Sequence, residues 1–311
     1  MNGKRVVITG GAGFIGSNLA HGLANGNDVV IIDDLYSGAT ENIDTLINQE
    51  KVTFVRGSIL DLELLEKTLD GADYVFHQAA IPSVPRSVVD PLSTNEVNIT
   101  GTLNVLIASR DNKVNKVIYA SSSSVYGDTP ELPKREDMTP NPQSPYAVTK
   151  LVGEYYCRVF DRQFMLPTIC LRYFNVYGPR QNLNTEYAAV IPSFISRVLR
   201  NECPIIYGDG NQTRDFTYIQ DVVHANILAA ENKSTGVFNV GSGCSVTINE
   251  LAEAVISNLS SKVSLMHESP RAGDVVHSLS DITLARSFGY EPQFNLEEGL
   301  CETIRGFIDA R

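Results

Sequence analysis

Six short runs rich in β-branched residues alternate with segments of helical length: Arg5 to Thr9, Asp28 to Ile32, Val52 to Val55, Tyr74 to Phe76, Val117 to Tyr119 and Thr168 to Leu171. No other feature constrains the fold as strongly, because strands separated by helices imply right-handed crossovers and a parallel sheet. The first two runs contain VVIT and VVII and are almost wholly apolar, as strands covered on both faces must be. The predicted architecture is α/β, a doubly wound parallel sheet with a smaller C-terminal α/β domain. The larger domain is expected over 1–177 and the smaller over 178–311. The boundary lies where the pattern loosens into a Gly/Pro/Asn-rich stretch, Gly178 to Asn184, followed by a predicted helix from about Tyr187 to Arg200. Val237 to Val240 reads as one more sheet strand, so the chain is expected to return to the first domain near 215–260.

Charge and cysteine usage exclude several classes of function. The 25 Lys and Arg face 36 Asp and Glu, a formal charge of −11, and no basic run could track a phosphate backbone, so nucleic acid is not an expected partner. No apolar stretch approaches bilayer length, and the first strand starts too near Met1 for a signal peptide, so a cytoplasmic protein with no membrane partner is expected. Cys157, Cys170, Cys203, Cys244 and Cys301 are odd in number and widely spaced, which predicts free thiols and no metal site.

Directly after the first strand comes Gly10-Gly11-Ala12-Gly13-Phe14-Ile15-Gly16, opening an apolar helix. In a Rossmann-type turn, Gly10 would supply the sharp bend, Gly13 the close approach to a pyrophosphate and Gly16 the tight packing of helix on strand. Gly10, Gly13, Phe14, Ile15 and Gly16 are therefore candidate dinucleotide contacts. Asp33 ends the second strand, 17 residues after Gly16, where a carboxylate can accept both hydroxyls of an adenosine ribose. That carboxylate favours NAD over NADP, and Asp34 beside it is a second candidate.

The fifth strand runs into Ser121-Ser122-Ser123-Ser124-Val125-Tyr126-Gly127, and Ser144-Pro145-Tyr146-Ala147-Val148-Thr149-Lys150 follows. Tyr146 and Lys150 are four apart on a predicted helix and share one face. An ammonium there is expected to lower the tyrosine pKa and make Tyr146 a usable general base. With the glycine turn, the strand-5 serines and the YxxxK pair in order, the chain resembles the extended short-chain dehydrogenases over its whole length.

The resemblance implies that Tyr146 takes a proton from a sugar hydroxyl, that Ser122 hydrogen-bonds the same oxygen with help from Ser123, and that Lys150 also holds the nicotinamide ribose. It places Gln78, Ala79 and Ala80, together with Ile59 and Tyr173, along the dinucleotide, and gives Asn98 a structural or cofactor-proximal position. Ser58 stands where many relatives carry an Asp for the adenine amino group. A hydroxyl can accept that bond.

Within the family, dehydratases and decarboxylases carry acidic residues where this chain has Ser123 and Ser124, so no carboxylate is placed for an elimination. The C-terminal half is similar to UDP-sugar 4-epimerases. The similarity implies Asn175, Arg214 and Arg271 near the diphosphate or sugar, Ala189 and Val190 at the uracil, and Asp274 on a ribose. Ser278 falls where epimerases restricted to UDP-glucose and UDP-galactose have a Tyr, which leaves room for an N-acetyl group. The implied activity is NAD-dependent 4-epimerisation of a UDP-hexose, UDP-GlcNAc/UDP-GalNAc and also UDP-Glc/UDP-Gal. A UDP-uronate epimerase, with Arg86 meeting the sugar carboxylate, and a catalytically idle NAD-binding protein are the alternatives. Family resemblance also implies a homodimer joined through helices of about Pro91 to Arg110 and Ser144 to Asp161.

Overall fold

The structure is a computed structural model that describes residues 1–182, 189–270 and 276–309. β1 (Arg5–Thr9) runs into α1 (Phe14–Leu23), β2 (Asp28–Asp33) is followed by α2 (Asp44–Asn48), and β3 (Val52–Arg56) by α3 (Leu62–Thr68). β4 (Tyr74–His77) leads into α4 (Val84–Val89) and α5 (Pro91–Asn95). A π-helical segment, Glu96–Gly101, joins α5 to α6 (Thr102–Asp111), so the single helix expected from about Pro91 is interrupted around Asn98. β5 (Lys116–Ser122), α7 (Pro145–Phe164) and β6 (Thr168–Tyr173) complete this half.

After β6 the elements shorten: β7 (Val176–Tyr177), α8 (Val190–Leu199), β8 (Ile205–Tyr207), β9 (Thr213–Arg214) and β10 (Thr217–Tyr218). Next come α9 (Ile219–Glu231), β11 (Gly236–Val240), β12 (Val246–Thr247), α10 (Ile248–Asn258), β13 (Met266–Glu268), α11 (Thr283–Arg286) and α12 (Leu296–Asp309). α8 begins at Val190; Tyr187, the expected start, lies outside the described residues.

β11 pairs with β6 and completes a seven-stranded sheet in the order β11-β6-β5-β4-β1-β2-β3, parallel throughout. The order reverses beside β1, and ligands of open α/β sheets bind outside the carboxyl ends of the strands at such a point. Alternation along the strands explains the two covered faces. Val6, Ile8, Ile31, Phe76 and Ile118 pack with Leu19 of α1 and Val222 of α9. Their neighbours Val7, Val30, Ile32, Val75 and Val117 pack with Leu65 of α3, Leu106 of α6 and Phe160 of α7. Burying each such side chain is worth roughly 1.5–3 kcal/mol, which is why nearly continuous apolar strands specify this arrangement.

The smaller lobe is built on two-stranded sheets, with β8 parallel to β13, β7 parallel to β10, and β9 antiparallel to β12. Its helices do not enclose a separate core. Ile191, Phe194 and Ile195 of α8 and Leu251 and Val255 of α10 join the same apolar cluster as the sheet face under α1.

Candidate active site

The carboxyl ends of β1, β2 and β4 open onto a cleft of about 690 Å³. Gly10 turns the chain at φ +69°, and a Cβ there would sit 2.6 Å from the Ala79 amide nitrogen, so the turn lies directly on the strip that follows β4. A Cβ on Gly16 would stand 2.1 Å from the Gly10 carbonyl oxygen. The close approach at Gly16 is thus to the turn itself, whereas the sequence predicted contact with the strand. No side chain caps α1, and Gly13, Phe14, Ile15 and Gly16 line the cleft. First-turn N–H groups without a capping side chain make an anion site suited to a diphosphate.

Asp33 lines the same cleft and accepts from the amides of Ala12 at 3.0 Å and Leu35 at 2.8 Å. Burial pushes its carboxyl above the usual range, opposed by these amide bonds. Asp34 also lines the cleft, with one oxygen accepting from the Tyr36 amide. Gln78, Ala79, Ala80 and Ile59 form further wall.

Of the expected cofactor contacts, Ser58, Asn98 and Tyr173, like Tyr146 and Lys150, are not in the cleft lining. Ser58 does not line the cleft, and its hydroxyl accepts from the Leu60 amide at 3.3 Å, so its side chain serves the turn before α3. Asn98 is buried behind the wall, where it accepts from the Ile81 amide and donates to the Ile81 carbonyl and to Thr149. Tyr173 reaches the site through Gln78, and its hydroxyl donates to Asn226. Sequence reading missed Tyr36, Gly38 and Gly57, which line the cleft, and Asn226, which anchors Gln78. These residues sit outside the short motifs, and the topology alone brings them to the crevice.

Ser144 caps α7 by accepting from the Ala147 amide, and Pro145 is its first residue, which puts Tyr146 in the first turn. The Tyr146 amide donates to Ser87 of α4 at 3.1 Å, placing the tyrosine behind the Ile81–Arg86 wall of the cleft. Lys150 donates from Nζ to the Ala120 carbonyl at 2.8 Å and lies 5.8 Å from the Tyr146 ring centroid and 5.1 Å from that of Tyr119. Ser122 ends β5, accepts from the Ser124 amide, and interacts with the Tyr146 phenol in the sense that favours the phenolate.

The electrostatics correct one expectation. Burial pushes the Tyr146 phenol up, with the Ser122 hydrogen bond opposing it, and burial pulls Lys150 down to about 8. Desolvation is the largest influence on both groups, and the ammonium is aimed at a carbonyl and at ring faces.

Glu154, one turn beyond Lys150, accepts from Arg172 at 2.8 and 2.7 Å and from Ser121. Ser121 is therefore a brace. Ser123 is half-buried, and the Ser124 hydroxyl is buried without a hydrogen-bond partner.

A second cavity of about 280 Å³ lies in the smaller lobe, lined by Asn175, Ala189, Val190, Tyr207, Arg214 and Phe216 among others. Gln181 and Ala189 line both cavities and mark their junction. Asn175 donates to the Asp215 carbonyl at 2.9 Å, and Arg214 donates to the Thr213 carbonyl at 2.8 Å. Ser278 is buried beside them, with its amide on the Thr213 carbonyl, but does not line the cavity. Arg271 and Asp274 lie outside the described residues. Tyr146, Lys150 and Ser122 are not among the residues that line these two cavities.

Comparison with known proteins agrees with this geometry. The model of the NAD-dependent epimerase/dehydratase family matches residues 6–241. The chain is 39% identical over 308 residues to the UDP-glucose 4-epimerase of Mycolicibacterium smegmatis, covering 97% of this chain and 98% of the relative. Among solved structures, the UDP-N-acetylglucosamine 4-epimerase of Methanobrevibacter ruminantium M1 in complex with UDP-N-acetylmuramic acid is 46% identical, with a TM-score of 0.97 and 100% of both chains covered. The UDP-glucuronic acid 4-epimerase of Bacillus cereus, in complex with UDP-glucuronic acid and NAD, is 34% identical with a TM-score of 0.90, covering 99% of this chain and 100% of that one. The chain thus belongs to the NAD-dependent epimerase/dehydratase family.

Proposed function

We propose that the protein is a UDP-hexose 4-epimerase that interconverts UDP-GlcNAc and UDP-GalNAc and also accepts UDP-Glc and UDP-Gal. The observation that carries this reading is the Tyr146–Ser122 pair, with Lys150 one turn along α7, behind a dinucleotide-sized cleft that joins a second cavity at Gln181 and Ala189. The cleft residues fit NAD: an anion site without a side-chain cap for the diphosphate and a buried carboxylate for the ribose. When bound, NAD supplies reversible hydride acceptance at the sugar C4.

Tyr146 takes the proton of the C4 hydroxyl, and Ser122 donates to the same oxygen as it becomes a carbonyl. Lys150 supplies positive charge beside the phenol and hydrogen-bonding capacity towards the nicotinamide ribose. Arg214 and Arg271 grip the nucleotide diphosphate with Asn175 near it or the sugar, Asp274 accepts from a nucleotide ribose hydroxyl, and Ala189 and Val190 contact the uracil through their backbone. With the nucleotide held and the sugar held loosely, the 4-keto sugar turns about its phosphate linkage and presents its other face, and Tyr146 returns the proton. Ser278, small where a tyrosine would fill the space, leaves room for the N-acetyl group. Ser123 completes the sugar contacts.

The rival uronate reading rested on Arg86. Arg86 lies 4.5 Å from the Tyr36 ring centroid and donates to the Tyr36 hydroxyl, at the edge of the cofactor cleft. Purified protein given UDP-GlcNAc, UDP-glucose and UDP-glucuronate separately, with products resolved by chromatography, tests the assignment. Turnover of the uronate alone overturns it.

The same reading includes a homodimer. Val148, Tyr155 and Val159 form an exposed apolar stripe on α7, and Leu92 of the adjoining α5 is 82% exposed. Sedimentation analysis should give twice the chain mass, and Tyr155→Glu should shift it towards the monomer. No helix among the described residues is long and apolar enough to cross a membrane.

A further inference from the structure

His77 ends β4, immediately before the Gln78–Ala80 wall of the cofactor cleft, and its imidazole is buried between two threonines. Thr9 Oγ1 lies 2.7 Å from Nδ1, and Thr102 Oγ1 lies 2.9 Å from Nε2. The directions of these bonds follow from their outer partners. Thr102 Oγ1 is 2.6 Å from the Asn98 carbonyl, which can only accept, so the threonine proton goes there and its oxygen accepts from Nε2–H. In the neutral ring Nδ1 is then bare and accepts from the Thr9 hydroxyl. That oxygen in turn accepts from the Ala79 amide at 3.3 Å.

The Asn98 side chain makes a separate set of bonds towards the catalytic helix. The Asn98 side chain holds Ile81 by two hydrogen bonds, 2.8 Å from its amide and 3.2 Å to its carbonyl, and donates to Thr149 at 3.0 Å. Thr149 donates to the backbone carbonyl of Tyr146 at 2.7 Å. Thr9, His77, Asn98, Thr102 and Thr149 are all buried, so water cannot replace a lost partner.

We propose that His77 is a positioning residue for the cofactor cleft: held as the neutral Nε2–H tautomer, it bridges Thr9, on which the Ala79 amide rests, to Thr102 and the Asn98 backbone, and so holds the end of β1 and the Ala79 wall against the helical segment whose Asn98 side chain braces Ile81. A doubly protonated ring would present a donor to Thr9, whose oxygen already accepts from Ala79, and the Thr9 proton would lose its acceptor. The groups packed on the ring oppose that state. Tyr119 of β5 lies 5.6 Å away between ring centroids, and burial, with the Lys150 ammonium adding to it, pulls the imidazole pKa down to about 3. His77 acts on the cofactor wall, so its role is independent of which sugar is turned over.

Nitrogen-15 NMR of histidine-labelled full-length protein tests the tautomer directly. His77 should show a protonated Nε2 and a bare Nδ1, unchanged from pH 8 to pH 5. A protonated Nδ1, or a ring that titrates in that range, overturns the proposal. The second arm measures NAD binding and steady-state kinetics. His77→Phe should weaken NAD binding by roughly ten- to hundredfold, since the Thr9 hydroxyl loses its acceptor and the Thr102 oxygen its donor. KM for the UDP-sugar should change by less than about twofold, because its cavity is lined from the other lobe. His77→Gln, whose amide can accept from Thr9 and donate to Thr102, should recover most of the loss. Thr9→Val, nearly isosteric, should reproduce part of it in a folded protein. Unaltered NAD binding in Thr9→Val and His77→Phe alike, or losses in NAD binding and KM that simply follow thermal stability, would refute the positioning role.

Discussion

The cofactor end and the nucleotide end of the active site are built in different ways. At the cofactor end, contacts come from short unbroken segments at the carboxyl ends of adjacent strands: Gly10–Gly16 after β1, Asp33 at the end of β2 and Gln78–Ala80 after β4. Each segment is fixed by the seven-stranded sheet behind it. At the nucleotide end, Asn175, Ala189, Arg214 and Phe216 come from separate short elements, and Arg214 sits on a two-residue strand. On the proposed reading the diphosphate is met by backbone amides of the glycine turn at the first end and by arginine side chains at the second. Perturbations of the two halves should therefore read out differently, one in cofactor retention and backbone strain, the other in KM.

The largest effect belongs to the chemical group between them. Tyr146→Phe should cut kcat by roughly a hundred- to ten-thousandfold while NAD remains bound, measured by coupled product assay and cofactor absorbance. Activity close to that of the parent would remove Tyr146 as the base. Arg214→Ala should raise KM for the UDP-sugar by roughly ten- to hundredfold with little change in kcat or NAD content, the cost of a charge-assisted phosphate contact. If NAD content fell as well, the two ends would be coupled and the contrast would fail.

Gly16→Ala tests the cofactor half through its backbone. The new methyl would meet the Gly10 carbonyl, and we expect roughly 1–3 kcal/mol of destabilisation in a denaturant titration together with loss of bound NAD. A smaller effect concerns Lys150, whose pKa is lowered from 10.5 to about 8. Below pH 8 the folded and unfolded chains both hold this proton, and the folded chain carries the burial penalty. Between pH 8 and 10.5 only the unfolded chain holds it, so this contribution to stability rises with pH. Lys150→Met should therefore raise the melting temperature at pH 7, lose that gain towards pH 10.5, and be inactive throughout. A lower melting temperature at pH 7 would show that the bond to the Ala120 carbonyl outweighs desolvation. The smallest effect is expected for Ser58→Ala, which should change NAD affinity by less than about twofold because its hydroxyl serves Leu60.

The sheet was legible in the sequence because covered strands must be apolar on both faces, and the six runs from Arg5 to Leu171 lie within observed strands. Their ends were less legible. β5 extends to Ser122 and β6 to Tyr173, polar residues whose strand conformation depends on pairing with each other. The Tyr146–Lys150 spacing was legible as a shared helix face, but the sign of their electrostatics was not. Spacing reports proximity, whereas desolvation depends on how much chain covers both groups. Ser58 and Asn98 were read by position within a motif. Where their side chains point is decided by the Leu60 amide in one case and by Ile81 and Thr149 in the other.

By itself the sequence determined the α/β class, the glycine turn at the head of α1, the acid at the end of β2 and the tyrosine-lysine pair on α7, since each depends on residues within a few positions of one another. Only the tertiary structure decided that Gly16 packs on its own turn, that Arg86 belongs to Tyr36, and that His77 sits in a hydrogen-bond path from Thr9 to Thr102. Those partners are set by strand order and by the crossing of helices over the sheet. Local periodicity records which face of an element is buried, but it carries no information about which distant polar group will be waiting there.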